Sequence, residues 1–178
     1  MSTILIHENS APSLRQVIGA SLARAAEADF AVARIRLAAV DLAEHEVAGV
    51  RRWRVLLGRL DAASLERSGE GRDAAADART LLRLFDSGRI AVRAAGLQAW
   101  YPDFAVLRGL AGGGCLTLLG GIYFGTPQNG DGPTLTCALT DAAHAASATA
   151  RFDRIWHRAY DVAPVVRTAL ERLSTARG

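Results

Sequence analysis

Residues 100–124 read Trp100-Tyr-Pro-Asp-Phe-Ala-Val-Leu-Arg108, then Gly109-Leu-Ala-Gly-Gly-Gly114, then Cys115-Leu-Thr-Leu-Leu-Gly-Gly-Ile-Tyr-Phe124. Two short apolar runs flank a glycine cluster, which is the pattern of strands at 104–108 and 115–119 joined by a turn. Gly112-Gly113-Gly114 opens no helix and so presents no N-terminal dipole to a phosphate; it reads as a hairpin turn.

Working outward, residues 126–133 have the Asn, Asp, Gly and Pro chemistry of an exposed loop, and 134–140 form a further strand. Asp141 caps a long helix reaching about residue 160, with Phe152, Ile155, Trp156 and Ala159 on its core side. A last amphipathic helix, 164–173, turns Val166, Ala169, Leu170 and Leu173 inward. Upstream, residues 90–94 are a strand that follows a helix over 73–85 stopped at Ser87-Gly88. Residues 52–58 are a strand with Trp53, Val55 and Leu57 on one face, and 64–72 are a polar connection. Residues 38–50 read as helix and 30–37 as a buried strand. Ser13 and Gln16 make a capping box for a helix running to about residue 28, after a β-prone opening at 3–6. Strands alternating with helices, then clustered strands, then helices predict an α/β fold. Its mixed sheet carries helices on both faces. The length of 178 residues suits one domain, 1–178.

The chain is half apolar and 22% charged, with no apolar run near membrane-spanning length. The first ten residues show neither a cationic start nor an apolar stretch, so a cytoplasmic protein is expected. All 21 cations are arginine. Without lysine, Schiff-base chemistry and the usual P-loop are excluded. Residues 51–93 hold ten arginines against six acids, whereas 94–150 hold Arg108 alone against Asp103, Asp131 and Asp141. Cys115 and Cys137, without CxxC spacing, read as buried reduced thiols. A zinc site from Cys115, Cys137 and His144 lacks recognisable ligand spacing, and no metal or cofactor is expected.

The order from residue 86 onward resembles the phospholipase D-like family. Its half-site places H-x-K-x4-D on a strand, ends the next strand with a G-S-x-N turn, and continues through a strand and a helix. The resemblance extends to the N-terminal helix, the strand at 30–37 and Val55-Leu-Leu-Gly58. It implies a phospholipase D-like half whose chemistry is missing. Laid on the pattern, Tyr101 falls at the histidine, Asp103 at the lysine, Arg108 at the aspartate, Gly121 at the serine and Tyr123 at the asparagine. A carboxylate in place of an ammonium repels phosphate and forfeits the main electrostatic contribution to phosphoryl transfer. These five residues are remnant-pocket candidates, and no catalytic residue is assigned.

Because the active family brings two half-sites together, a single copy implies a homodimer. The expected function is therefore an inactive, dimerising binding or scaffold module for protein or nucleic acid. The alternative is a phosphodiesterase or nuclease with non-standard residues, such as Tyr101 with Asp103, or the acidic set Glu44, His45 and Glu46. Candidate polyanion contacts are Arg51, Arg52 and Arg54, interleaved with Trp53, and Arg151, Arg154 and Arg158 on one helix face. The plainer account of the first group has Trp53 packing while the arginines keep a strand soluble. For the second it has the arginines pairing with Asp153 and other surface acids.

Overall fold

The computed structural model describes residues 3–7, 12–33, 44–58, 74–96, 103–120 and 135–175. Its frame is one sheet of eight strands in the order β1-β7-β6-β5-β2-β3-β4-β8. These are β1 (Thr3–His7), β2 (Glu27–Val32), β3 (Arg52–Leu57), β4 (Ile90–Ala94), β5 (Phe104–Leu110), β6 (Gly114–Gly120), β7 (Leu135–Leu139) and β8 (Tyr160–Asp161). The three central strands β2, β3 and β4 run parallel, and every other pairing is antiparallel, so the sheet is mixed as expected.

Side-chain alternation divides the sheet into two faces. Phe30, Val55, Val92, Ala105 and Leu118 lie on the first, packed against α1 (Leu14–Leu22), α2 (Glu44–Val47), α3 (Ala74–Asp86) and α5 (Ala163–Thr175). Ala31, Leu56, Phe104 and Val106 lie on the second, covered by α4 (Ala142–Trp156) through Ala145, Phe152, Ile155 and Trp156. β2 is buried on both faces, with Ala28, Asp29 and Phe30 all fully enclosed. Helix α5 turns Val166, Ala169, Leu170 and Leu173 inward, as its spacing predicts.

Several boundaries differ from the sequence reading. Helix α1 keeps the Ser13–Gln16 capping box but stops at Leu22, because the chain is recruited to the sheet. Ala26 donates to the Arg108 carbonyl at 2.9 Å, and its own carbonyl accepts from Arg51 at 2.8 Å. β2 therefore begins at Glu27, within the stretch expected to be helix, and ends at Val32; residues 34–43 lie outside the described residues. Of the helix expected over 38–50, the described part is the single turn α2. Helix α4 ends at Trp156, and Tyr160 belongs instead to β8, paired with Ala94. The connections at 64–72 and 126–133 and the cap position Asp73 fall outside the described residues. Both cysteines are free but only half-buried, on β6 and β7, rather than enclosed.

The hairpin between β5 and β6 is the turn expected from the triple glycine, a short 3-10 turn over Ala111–Gly113. A bulge precedes it at Gly109, whose φ of +69° and close approach to the Ala26 side chain leave no room for a Cβ.

Candidate functional site

The β5–β6 hairpin brings the two ends of the sequence pattern together. Asp103 leads into β5, Gly120 ends β6, and the Gly120 amide donates to the Asp103 carbonyl at 2.9 Å. This is also where the parallel strands end, the end of an open α/β sheet at which ligands commonly bind. Tyr101, Gly121 and Tyr123 lie outside the described residues. The Asp103 carboxylate accepts the Ala33 amide at 2.6 Å, tying the start of β5 to the end of β2. Its charge is thus used within the fold. Asp103→Ala should lower stability by about 1.5–3 kcal/mol, the usual worth of a hydrogen bond to a charged group, read as a shift in the urea midpoint. An unchanged midpoint would show that the carboxylate is not a brace.

Arg108 is carried to the opposite end of β5, where it joins an alternating ladder of charges under α4. Arg52 pairs with Glu27 at 2.7 Å, and Glu27 with Arg108 at 2.9 Å. Arg108 pairs with Asp29 at 2.7 Å, Asp29 with Arg54 at 2.7 Å, and Arg54 with Asp153 at 2.7 Å. Arg108 also donates to the Thr149 hydroxyl at 2.7 Å. Three guanidiniums meet three carboxylates, so the ladder is neutral as a whole.

Register explains the arrangement. Glu27 lies beside Arg52 and Asp29 beside Arg54 in the parallel pair, while Arg108 faces Glu27 across the antiparallel one. Asp29 is fully enclosed and Arg54 nearly so. The Arg54 guanidinium also lies 4.7 Å from the centre of the Phe152 ring and 5.5 Å from that of Trp156. Burial tends to lower the Arg54 pKa, but Asp29 and then Asp153 outweigh it and raise it above its already high value. Burial likewise pushes the Glu27 carboxyl up, and the hydrogen bonds and charges of Arg108 and Arg52 hold it below its ordinary value. Arg54 is therefore not the solvated surface charge of the plainer account: it is built into the packing of α4.

The remaining candidates separate spatially. Arg51 is exposed at the head of β3, and Arg52, on the rim of the ladder, is half-exposed. Arg151, Arg154 and Arg158 lie on the outer side of α4 and the turn after it, away from Asp153, which points inward to Arg54. Arg154 and Arg158 have no carboxylate partner among the described residues. In the acidic set, Glu46 is held by Arg15 through two hydrogen bonds of 2.7 and 2.9 Å. This pair lies across Gly19 and borders an open depression of about 440 Å³ that His45 also lines. Among the described residues no three potential ligands cluster for a metal ion.

Glu27 and Asp29 escaped the sequence reading, and Asp153, read there as a partner of the α4 arginines, pairs with Arg54 instead. Their signal was the period-two pairing of Glu27 and Asp29 with Arg52 and Arg54, which becomes meaningful only once the two strands are known to be neighbours.

No protein-family model matches this chain, and no curated protein is similar to it in sequence. Solved structures are similar in fold. Nuc from Salmonella typhimurium, a phospholipase D family member, superposes with a TM-score of 0.57 at 14% identity, over 90% of this chain and 97% of that one. NucT from Helicobacter pylori does so with a TM-score of 0.57 at 9% identity, over 90% and 98%. TrmBL2, an archaeal chromatin protein whose structure shows a mode of DNA binding, matches with a TM-score of 0.56 at 14% identity. That match covers 91% of this chain, which spans about half (54%) of TrmBL2. The architecture is thus phospholipase D-like. Among the described residues no helix is long and apolar enough to cross a membrane.

Proposed function

We propose that this protein is a non-catalytic, dimerising module with a phospholipase D-like fold that binds nucleic acid through the outer side of α4. One observation carries the reading: the arginines beneath α4 are neutralised by carboxylates, whereas Arg154 and Arg158 on its outer side have no carboxylate partner among the described residues. Phosphoryl transfer needs cations aimed at the developing charge. Here Asp103 stands at the family's lysine position, and Arg108 is held at the other end of the strand by Glu27 and Asp29. Backbone binding needs only accessible positive charge on a rigid support. TrmBL2, about half of which this chain matches in fold, is a DNA-binding chromatin protein, which supports the nucleic-acid part of the reading. A dimer belongs to this reading because the phospholipase D-like pattern joins two half-sites and this chain, which aligns over nearly all of Nuc and NucT, offers one, and because oligomers favour twofold symmetry.

Anisotropy titrations of labelled DNA against salt test the reading. Binding should weaken steeply with salt, and Arg154→Ala/Arg158→Ala should reduce the slope of log K against log salt by about two. An unchanged slope would remove α4 from the interface. Turnover of bis-nitrophenyl phosphate above background would remove the non-catalytic part and favour non-standard catalytic residues. A monomer by light scattering at micromolar concentration would remove the dimer.

A further inference from the structure

We infer that Arg24, Arg51 and Arg89 form a second contact for the phosphate backbone of nucleic acid, at the end of the sheet where the parallel strands begin. It rests on the nucleic-acid reading above but not on α4, and it is carried by residues that reading leaves unused.

Three segments distant in sequence meet there. The Arg51 amide donates to the Ala26 carbonyl at 2.8 Å. A Cβ at Gly49 would lie 3.5 Å from the Ala23 carbonyl oxygen and 3.8 Å from that of Ala25. The turn at 48–51 thus runs against the residues on either side of Arg24. The same turn holds the Arg89 guanidinium, which donates to the carbonyls of Ala48 at 3.0 Å and Val50 at 3.4 Å and to the Ser87 hydroxyl at 3.2 Å. The Arg24 guanidinium donates to the Ala20 carbonyl at 3.1 Å, at the C-terminal end of α1. Arg24 and Arg51 are exposed and Arg89 is half-buried.

None of the three has a carboxylate partner among the described residues. The acids nearest along the chain whose side chains are described are engaged elsewhere: Glu27 with Arg52 and Arg108, Glu46 with Arg15, and Asp86 with Arg167. Strands β2, β3 and β4 begin side by side, about 4.8 Å apart, so the cations at their heads add their potentials and repel one another until an anion intervenes. Bonds to backbone carbonyls orient Arg24 and Arg89 without consuming their charge, which lowers the entropy lost on binding a phosphate. An anionic membrane fits less well, because three arginines hold it weakly without apolar insertion. The exposed large apolar side chains among the described residues lie elsewhere. Ile4 is on the far edge strand, Leu119 and Tyr160 are at the opposite strand ends, and Val165 is in the first turn of α5.

Titrations of labelled duplex DNA against salt with separate pairs of variants distinguish the two contacts. Arg24→Ala/Arg51→Ala should reduce the slope of log K against log salt by about two and leave the thermal midpoint unchanged, while Arg24→Lys/Arg51→Lys keeps the wild-type slope. Arg89 stays in place because its bonds brace the turn. A slope that survives Arg24→Ala/Arg51→Ala but falls in Arg154→Ala/Arg158→Ala would overturn the second contact and leave α4 standing. The reverse pattern would remove α4 and support the contact at the strand heads. Absence of DNA binding by the wild type would overturn both. Loss of slope in the lysine variant as well would mean that the arginines act through structure rather than charge, overturning the contact. Binding to phosphatidylserine vesicles that Arg24→Ala/Arg51→Ala abolishes, with the DNA slope intact, would reassign the patch to a membrane surface.

Discussion

Asp29→Ala is expected to lose about 3–5 kcal/mol of unfolding free energy, enough to remove much of the stability of a protein this size. Asp29 is fully enclosed at the centre of the sheet, and its two oxygens hold Arg54 through two hydrogen bonds of 2.7 Å and pair with Arg108 at 2.7 Å. Truncation leaves two guanidiniums beneath α4 with only part of their neutralising charge, Asp153 for one and Glu27 with Thr149 for the other. The cost comes from the stranded cations more than from the lost attraction. A cycle therefore distinguishes the two: Asp29→Ala combined with Arg54→Met should lose clearly less than the sum of the single changes. Urea unfolding of the four proteins measures it. Strict additivity, or a single-variant loss below about 1 kcal/mol, would mean that water replaces the carboxylate and the ladder is not a buried unit.

Phe152→Ala should have a comparable effect, about 3–5 kcal/mol, for a different reason. The ring is fully buried, meets Phe104 edge-on at 6.3 Å and stacks on Trp156 at 5.5 Å. It also lies beneath the Arg54 guanidinium. Phe152 is thus the anchor by which the only helix on this face, among the described residues, is fixed to the sheet. Its loss opens a cavity and removes a ring that the buried cation uses. Phe152→Leu retains most of the apolar burial but not the ring face and should lose about 1–2 kcal/mol, so the pair separates burial from aromatic contact. Because α4 carries Arg154 and Arg158, the alanine variant should also bind DNA more weakly. A Phe152→Ala protein that unfolds at the wild-type urea concentration would place the anchorage of α4 elsewhere.

Much of the fold was legible where a local signal and its tertiary use coincided. The glycine-bounded hairpin, the stop of α3 at Ser87-Gly88 and the inward stripe of α5 are set by turn chemistry and apolar spacing, and they stand as expected. The reading failed where distant partners overrode local preference. The alanine-rich stretch after Leu22 favours helix, but pairing with Arg51 and Arg108 draws it into the sheet. Tyr160 reads locally as a helix end because a two-residue strand has no periodicity to recognise. Its exposure on the far edge was equally invisible.

The candidate site divides in the same way. Composition alone determined that lysine chemistry is absent, and the order of elements from residue 86 onward determined the architecture, because both are properties of neighbouring residues along the chain. Only the tertiary structure decided which arginines carry charge outward. Arg54 and Arg154 are the same residue type in similarly mixed surroundings, yet one is paired with acids 25 and 99 positions away and the other faces solvent. Neutralisation requires oppositely charged groups within a few ångströms, and that proximity is created by strand register and helix packing, which no stretch of the chain encodes by itself.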